Sequence, residues 1–156
     1  MESQLQTQLH TTNSEDETIE LGKHFAERLQ IGDVVAFYGG LGAGKTEFVK
    51  GICEHFHVPD IVSSPTFTIM NQYDGTDNDG EDIKLYHVDL YRINSQREFD
   101  DIGFDDCMFT NNAIKLVEWA EKANGHIPKK RYSVKFILDD SNESKRTIEI
   151  SKNDVV

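Results

Sequence analysis

The stretch Gly39-Gly40-Leu41-Gly42-Ala43-Gly44-Lys45-Thr46 decides the reading of the chain. Gly39, Gly44, Lys45 and Thr46 satisfy GxxxxGK[ST] at every fixed position. Such a loop lets successive backbone N–H groups turn inward on phosphate oxygens, at the start of a helix whose dipole favours an anion. The nest takes in the amides of Leu41, Gly42 and Ala43. Lys45 is then expected to reach the β- and γ-phosphates, and the Thr46 hydroxyl to ligate magnesium. The context supports this. Val34-Val35-Ala36-Phe37-Tyr38 is a short continuous apolar run, as in a strand buried on both faces. Phe48, Val49, Ile52, Cys53 and Phe56 then recur at helical spacing.

Outward from the loop, two further apolar segments each end in an acid. Leu85-Tyr86-His87-Val88-Asp89 and Ile114-Lys115-Leu116-Val117-Glu118 both read as strands. Magnesium takes hard oxygen ligands and keeps several waters, so one carboxylate beside Thr46 suffices. One acid can serve the metal and the other the attacking water, and alternation alone does not choose between Asp89 and Glu118. His87 and Asp89 share a strand face and read as an orienting pair.

Before the loop, Ser14 opens a capping box with Glu17, and Leu21, Phe25 and Leu29 form a helical stripe. After Pro128, two alternating segments around DDSNES predict a terminal hairpin. Asp74–Asp82 reads as a solvated acidic loop, and the segment around Glu98 to Asp106 as a short acidic helix and turn. Residues 1–13 are polar and are expected to be frayed, with one domain over 14–151 and a tail over 152–156.

The 156 residues suit one domain, and the net charge of −12 argues against direct strong binding of nucleic acid. Cys53 and Cys107 lack neighbours at zinc-ligand spacing and suit reduced thiols in a cytosolic protein. The N-terminus has neither the basic nor the apolar region of a signal peptide, and no run approaches a membrane span. His55 and His57 suit the end of the helix after the loop. Asp100–Gly103 fits DxxG by coincidence, since no strand precedes it and no guanine motif accompanies it.

LGAGKT, SSPTFT, LYHVDLYR, EFDDIGF and LVEWAE, in this order and spacing, resemble the TsaE (YjeE) family of ATPases. The likeness runs from about Glu15 to about Ile150. It implies an α/β, P-loop NTPase-like three-layer domain with a central mixed sheet flanked by helices. It implies ATP and Mg2+ as cofactors, Glu118 as a magnesium ligand and Asp89 as important for hydrolysis. It places Thr66 in a switch-like segment near the γ-phosphate and Trp119 near the nucleotide. Arg146, in the terminal hairpin, matches an arginine that approaches the nucleotide. The implied work is threonylcarbamoyladenosine formation in tRNAs reading codons that start with A, with TsaD and TsaB as partners and tRNA met through their complex. Gly40 stands where the family often carries an acid. The rival readings are a P-loop small-molecule or nucleoside kinase, with only Arg92 and Arg97 for a lid, and a nucleotide-dependent scaffold.

Overall fold

The computed structural model describes residues 6–40, 42–60, 62, 70–123 and 125–154. Among these residues, seven strands form one mixed sheet: β1 (Gln6–Thr12), β2 (Val34–Tyr38), β3 (Met70–Thr76), β4 (Asp82–Asp89), β5 (Ile114–Glu118), β6 (Arg131–Asp139) and β7 (Asn142–Asn153). Their order across the sheet is β1-β7-β6-β2-β5-β4-β3. The middle strands β6, β2, β5 and β4 run parallel, while β3 pairs antiparallel with β4, and β7 with both β6 and β1.

The helices are α1 (Glu15–Phe25), α2 (Lys45–His55), α3 (Gln96–Asp101) and α4 (Phe104–Met108). Strand β2 shows why the architecture has three layers. Its Val35 and Phe37 join a core with Phe25 of α1 and Phe48 and Ile52 of α2. Its Val34 and Ala36 join a second core with Phe99 of α3 and Phe104 and Met108 of α4. A run without polar alternation is what burial on both faces demands.

The expected elements around the loop are present. Ser14 caps α1, accepting from the Glu17 amide at 3.1 Å. The stripe of that helix buries Phe25 and Leu29, although the helix itself stops at Phe25 and a 3-10 turn carries Ala26–Arg28. The acidic stretch forms two short helices rather than one, with Gly103 between them in the left-handed region.

The frayed N-terminus is corrected over residues 6–12. This segment is an edge strand in register with β7, from Gln6 opposite Lys152 to Thr12 opposite Arg146. Backbone pairing and the buried Thr12 hydroxyl, 2.8 Å from that of Thr18, hold it in place. The tail is shorter than expected, because β7 continues through Asn153. The acidic loop is likewise shorter, since β3 extends to Thr76 and β4 begins at Asp82. Among the described residues, no helix is long and apolar enough to cross a membrane.

Candidate functional site

Three adjacent parallel strands bring the site together at their carboxyl ends. In register, Glu118 at the end of β5 lies between Phe37 of β2 and Asp89 at the end of β4. Strand β2 runs on into the glycine loop one residue after Phe37, at Tyr38. Ligands of open α/β sheets bind at such strand ends. Both sequence-predicted acids therefore stand at strand ends beside the strand that feeds the loop.

The loop has the shape that its glycines permit. Gly39 has φ 145°, and a Cβ there would lie 3.1 Å from both Cβ and the carbonyl oxygen of Phe136. Gly44 has φ 105° and is the N-cap of α2. No side chain caps that helix. Its first amides, which have no partner inside the helix, are thus presented to the loop, where an anion can accept from them.

Lys45 is the first residue of α2 and is only 5% exposed. Its Nζ donates to the Gly39 carbonyl at 2.7 Å and sits 3.8 Å from the centre of the Trp119 ring. Burial lowers its pKa from the usual lysine range, with Glu118, Glu121 and Asp89 acting in the opposite direction. Such a cation is incompletely compensated and well suited to a phosphate. Thr46, the next residue of α2, is half-buried.

Glu118 is buried, and its Oε2 lies 2.6 Å from His87 Nε2. The expected His87–Asp89 pairing is thus corrected in part: the cross-strand partner of the imidazole is Glu118. In register His87 stands opposite Leu116 and Asp89 opposite Glu118, so the imidazole reaches Glu118 diagonally across the two strands. Asp89 Oδ1 accepts from the Tyr91 amide at 2.9 Å, closing the turn after β4.

Trp119 follows Glu118 with φ 58°, an uncommon conformation for a bulky residue. It directs the indole over Lys45 and against the Tyr91 ring, 4.9 Å away. Arg146 reaches the loop from β7 but meets its backbone carbonyls. Nε donates to Ala43 O at 3.2 Å and Nη2 to Gly42 O at 3.1 Å. The guanidinium therefore braces the loop. A cleft of about 260 Å³ continues from Gly42, Gly44 and Arg146 toward Ser14, Thr18 and Glu47.

Two expected site residues, Leu41 and Thr66, lie outside the described residues. Sequence reasoning missed Glu121, whose carboxyl pKa is raised by burial against the pull of Lys45. It also missed Tyr73 and Tyr91, which flank His87 and Trp119. Among the described residues, no group of three or more His, Cys, Asp or Glu gathers as a metal site. Magnesium held by one carboxylate, a hydroxyl and phosphates needs no such group. Thr46 and Glu118 fit that arrangement.

Comparison with known proteins agrees with this geometry. The family model described as threonylcarbamoyl adenosine biosynthesis protein TsaE matches residues 12–148. The tRNA threonylcarbamoyladenosine biosynthesis protein TsaE of Bacillus subtilis is 40% identical over 83% of this chain and 76% of its own length. The protein of that name from Treponema pallidum is 33% identical over 84% of this chain and 93% of its own. The crystal structure of Bacillus subtilis YdiB superposes with a TM-score of 0.73 at 30% identity, covering 96% of this chain and 87% of that one. With the family model matching residues 12–148 and curated relatives 33–40% identical over most of its length, the chain belongs to the TsaE family.

Proposed function

We propose that the chain binds and hydrolyses ATP with magnesium, and that this turnover serves threonylcarbamoyladenosine modification of tRNA together with TsaD and TsaB. Membership of the TsaE family supports the pathway, since its curated relatives are named for it. One observation carries the chemistry: an uncapped helix N-terminus and a buried lysine lie beside two carboxylates at adjacent strand ends.

Phosphoryl transfer asks chiefly for positioning and charge compensation. The loop amides and Lys45 bind the triphosphate. Thr46 and Glu118 would hold magnesium, which when bound supplies further positive charge against the phosphates. Asp89 lies next to Glu118 and orients the attacking water. Thr66, in the segment between α2 and β3, is assigned to the γ-phosphate side. The cleft beyond Gly42 and Gly44 takes the base, and Arg146 contributes by holding the loop rather than by contacting phosphate.

Arg146 is engaged by the Gly42 and Ala43 carbonyls rather than by a phosphate position. Turnover is therefore slow alone and rises when TsaD and TsaB contribute charge or order the site. tRNA is met through that complex, consistent with the net charge of −12. The test is phosphate release from ATP, with no acceptor, measured with and without the partner proteins and tRNA. A large stimulation is expected. Phosphate transfer to a small acceptor instead of release would establish a kinase, and an unchanged rate would remove the partner-dependent part.

A further inference from the structure

We propose that His87, Tyr73 and Asn71 form a positioning chain that fixes the Glu118 carboxylate and thereby sets how strongly the site holds its divalent cation. The inference rests on the reading of Glu118 as a magnesium ligand.

The chain runs across three strands. Asn71 and Tyr73 lie on β3, His87 on β4 and Glu118 on β5. Asn71 Nδ2 donates to the Tyr73 hydroxyl at 3.3 Å. That hydroxyl lies 3.4 Å from His87 Nδ1, and His87 Nε2 lies 2.6 Å from Glu118 Oε2. His87 is 0% exposed, and Tyr73 is buried.

The donor and acceptor roles follow from one end. An ionised carboxylate only accepts, so the hydrogen of this bond is on His87 Nε2. With that single hydrogen on Nε2, Nδ1 is left as an acceptor facing the Tyr73 hydroxyl, which can donate to it. The tyrosine oxygen in turn accepts from the Asn71 amide. In this tautomer every link has one donor and one acceptor.

Two consequences follow for Glu118. Its Oε2 is engaged by the imidazole, which leaves the other oxygen for a cation. Rotation of the carboxylate, which would exchange the two oxygens, breaks a short charge-assisted bond in a buried setting. Outer partners of this kind hold a metal-binding group in its working orientation, and their loss typically costs about 10–100-fold in metal affinity. Burying a carboxylate is costly unless it is paired or metal-bound, so packing alone does not account for an acid at this position.

The test measures metal dependence separately from nucleotide binding. ATP affinity is determined by calorimetry with metal chelated and again across a magnesium titration, and binding of Mn2+ with ATP is followed by electron paramagnetic resonance. For His87→Leu, the affinity in chelator is expected to match the unsubstituted protein, while half-saturating magnesium rises about 10–100-fold. His87→Gln returns an amide donor toward Glu118 and restores much of the metal affinity. Tyr73→Phe removes one hydroxyl from the longest link, shifts the metal dependence less and in the same direction, and serves as the test should His87→Leu not fold. Equal metal dependence in the unsubstituted protein and in folded His87→Leu, or in Tyr73→Phe where His87→Leu does not fold, overturns the inference while leaving the ATPase reading intact. Failure of the unsubstituted protein to bind ATP at all overturns both.

Discussion

The Lys45 ammonium lies 3.8 Å from the centre of the Trp119 ring while donating to the Gly39 carbonyl at 2.7 Å. A cation over an indole face gains from the ring's quadrupole, more so when it is desolvated. In this arrangement the ammonium is held by a carbonyl and a ring face, partners that a triphosphate bound as proposed is expected to outcompete.

Nucleotide binding is therefore expected to draw Lys45 from the ring and change the indole's surroundings. The chain has a single tryptophan, so its emission reports this movement without ambiguity. Titration with ATP should change Trp119 fluorescence along a saturable curve. Lys45→Ala should remove both the saturable change and tight binding. Emission that stays constant while calorimetry shows ATP bound would contradict the displacement.

The same burial gives a pH dependence with a defined sign. Burial holds the Lys45 pKa below the ordinary value of 10.5, with Glu118, Glu121 and Asp89 opposing. The free protein thus loses the Lys45 proton at a lower pH than an exposed lysine does. A bound polyphosphate favours the charged form and raises the pKa again. Binding should take up protons in the alkaline range below 10.5 and weaken as pH rises through the lowered pKa. Calorimetry in two buffers of different ionisation enthalpy measures the uptake, and an identical heat in both at alkaline pH would refute it. For stability the sign is also fixed. The folded state disfavours the charged lysine, so this residue's contribution is least favourable below its folded pKa and improves as pH rises through that value.

Arg146 offers a test of bracing against direct contact. Its Nε and Nη2 meet two successive loop carbonyls, those of Ala43 and Gly42. Hydrogen bonds from a charged group contribute about 1.5–3 kcal/mol when well formed, and partial exposure reduces this. Arg146→Ala is expected to weaken ATP binding by roughly tenfold while changing kcat little. Arg146→Lys should not rescue, because a point charge does not reproduce the planar fork. A fall in kcat with unchanged affinity would instead place the guanidinium at the reacting phosphate.

How much of this was legible in the sequence depended on whether the signal was local. The loop, the helix after it and the acid-ended strands were readable because apolar runs and glycine spacing are properties of neighbouring residues. Strand β1 was not. Gln6–Thr12 is polar, its Leu9 is 68% exposed, and it is held by backbone pairing to β7 at the far end of the chain. An edge strand facing water carries little hydrophobic alternation to find. Cross-strand partners were equally hidden. Spacing placed His87 beside Asp89, but only the pairing of β4 with β5 lets the imidazole reach diagonally to Glu118. Arg146 could be assigned to the hairpin, while the carbonyls it meets follow only from the way β7 passes the loop.

The crossing of α1 and α2 predicts where the fold tolerates no added atom. A Cβ on Gly51 would lie 1.9 Å from the Ile19 carbonyl oxygen, and one on Gly22 would lie 2.2 Å from that of Phe48. Both obstacles are helix backbone, which cannot swing aside as a side chain can. Gly51→Ala and Gly22→Ala should each cost about 1–3 kcal/mol through overpacking, despite the better helix propensity of alanine. Thermal unfolding should show a Tm lower by several degrees. A Tm at or above that of the unsubstituted protein would mean that the helices are not packed this closely.

Asp89 and Glu118 stand in register at neighbouring strand ends, yet their surroundings differ. Glu118 is buried against His87, whereas Asp89 is half-buried and caps the turn into Tyr91. The buried acid suits a fixed role toward a cation, and the more open one suits a water that must enter and react. Glu118→Gln should therefore raise the magnesium requirement for ATP binding, since an amide is a poor ligand for a hard cation. Asp89→Asn should leave binding within a few-fold and lower turnover by about 10²–10⁴-fold, the range of a lost general acid–base group. Because Asn retains an oxygen for the Tyr91 amide, the turn is kept and the loss reads on chemistry. The two variants are compared by calorimetry and by single-turnover phosphate release, with the partner proteins present. If Asp89→Asn altered the magnesium requirement and Glu118→Gln altered only turnover, the two roles would have to be exchanged.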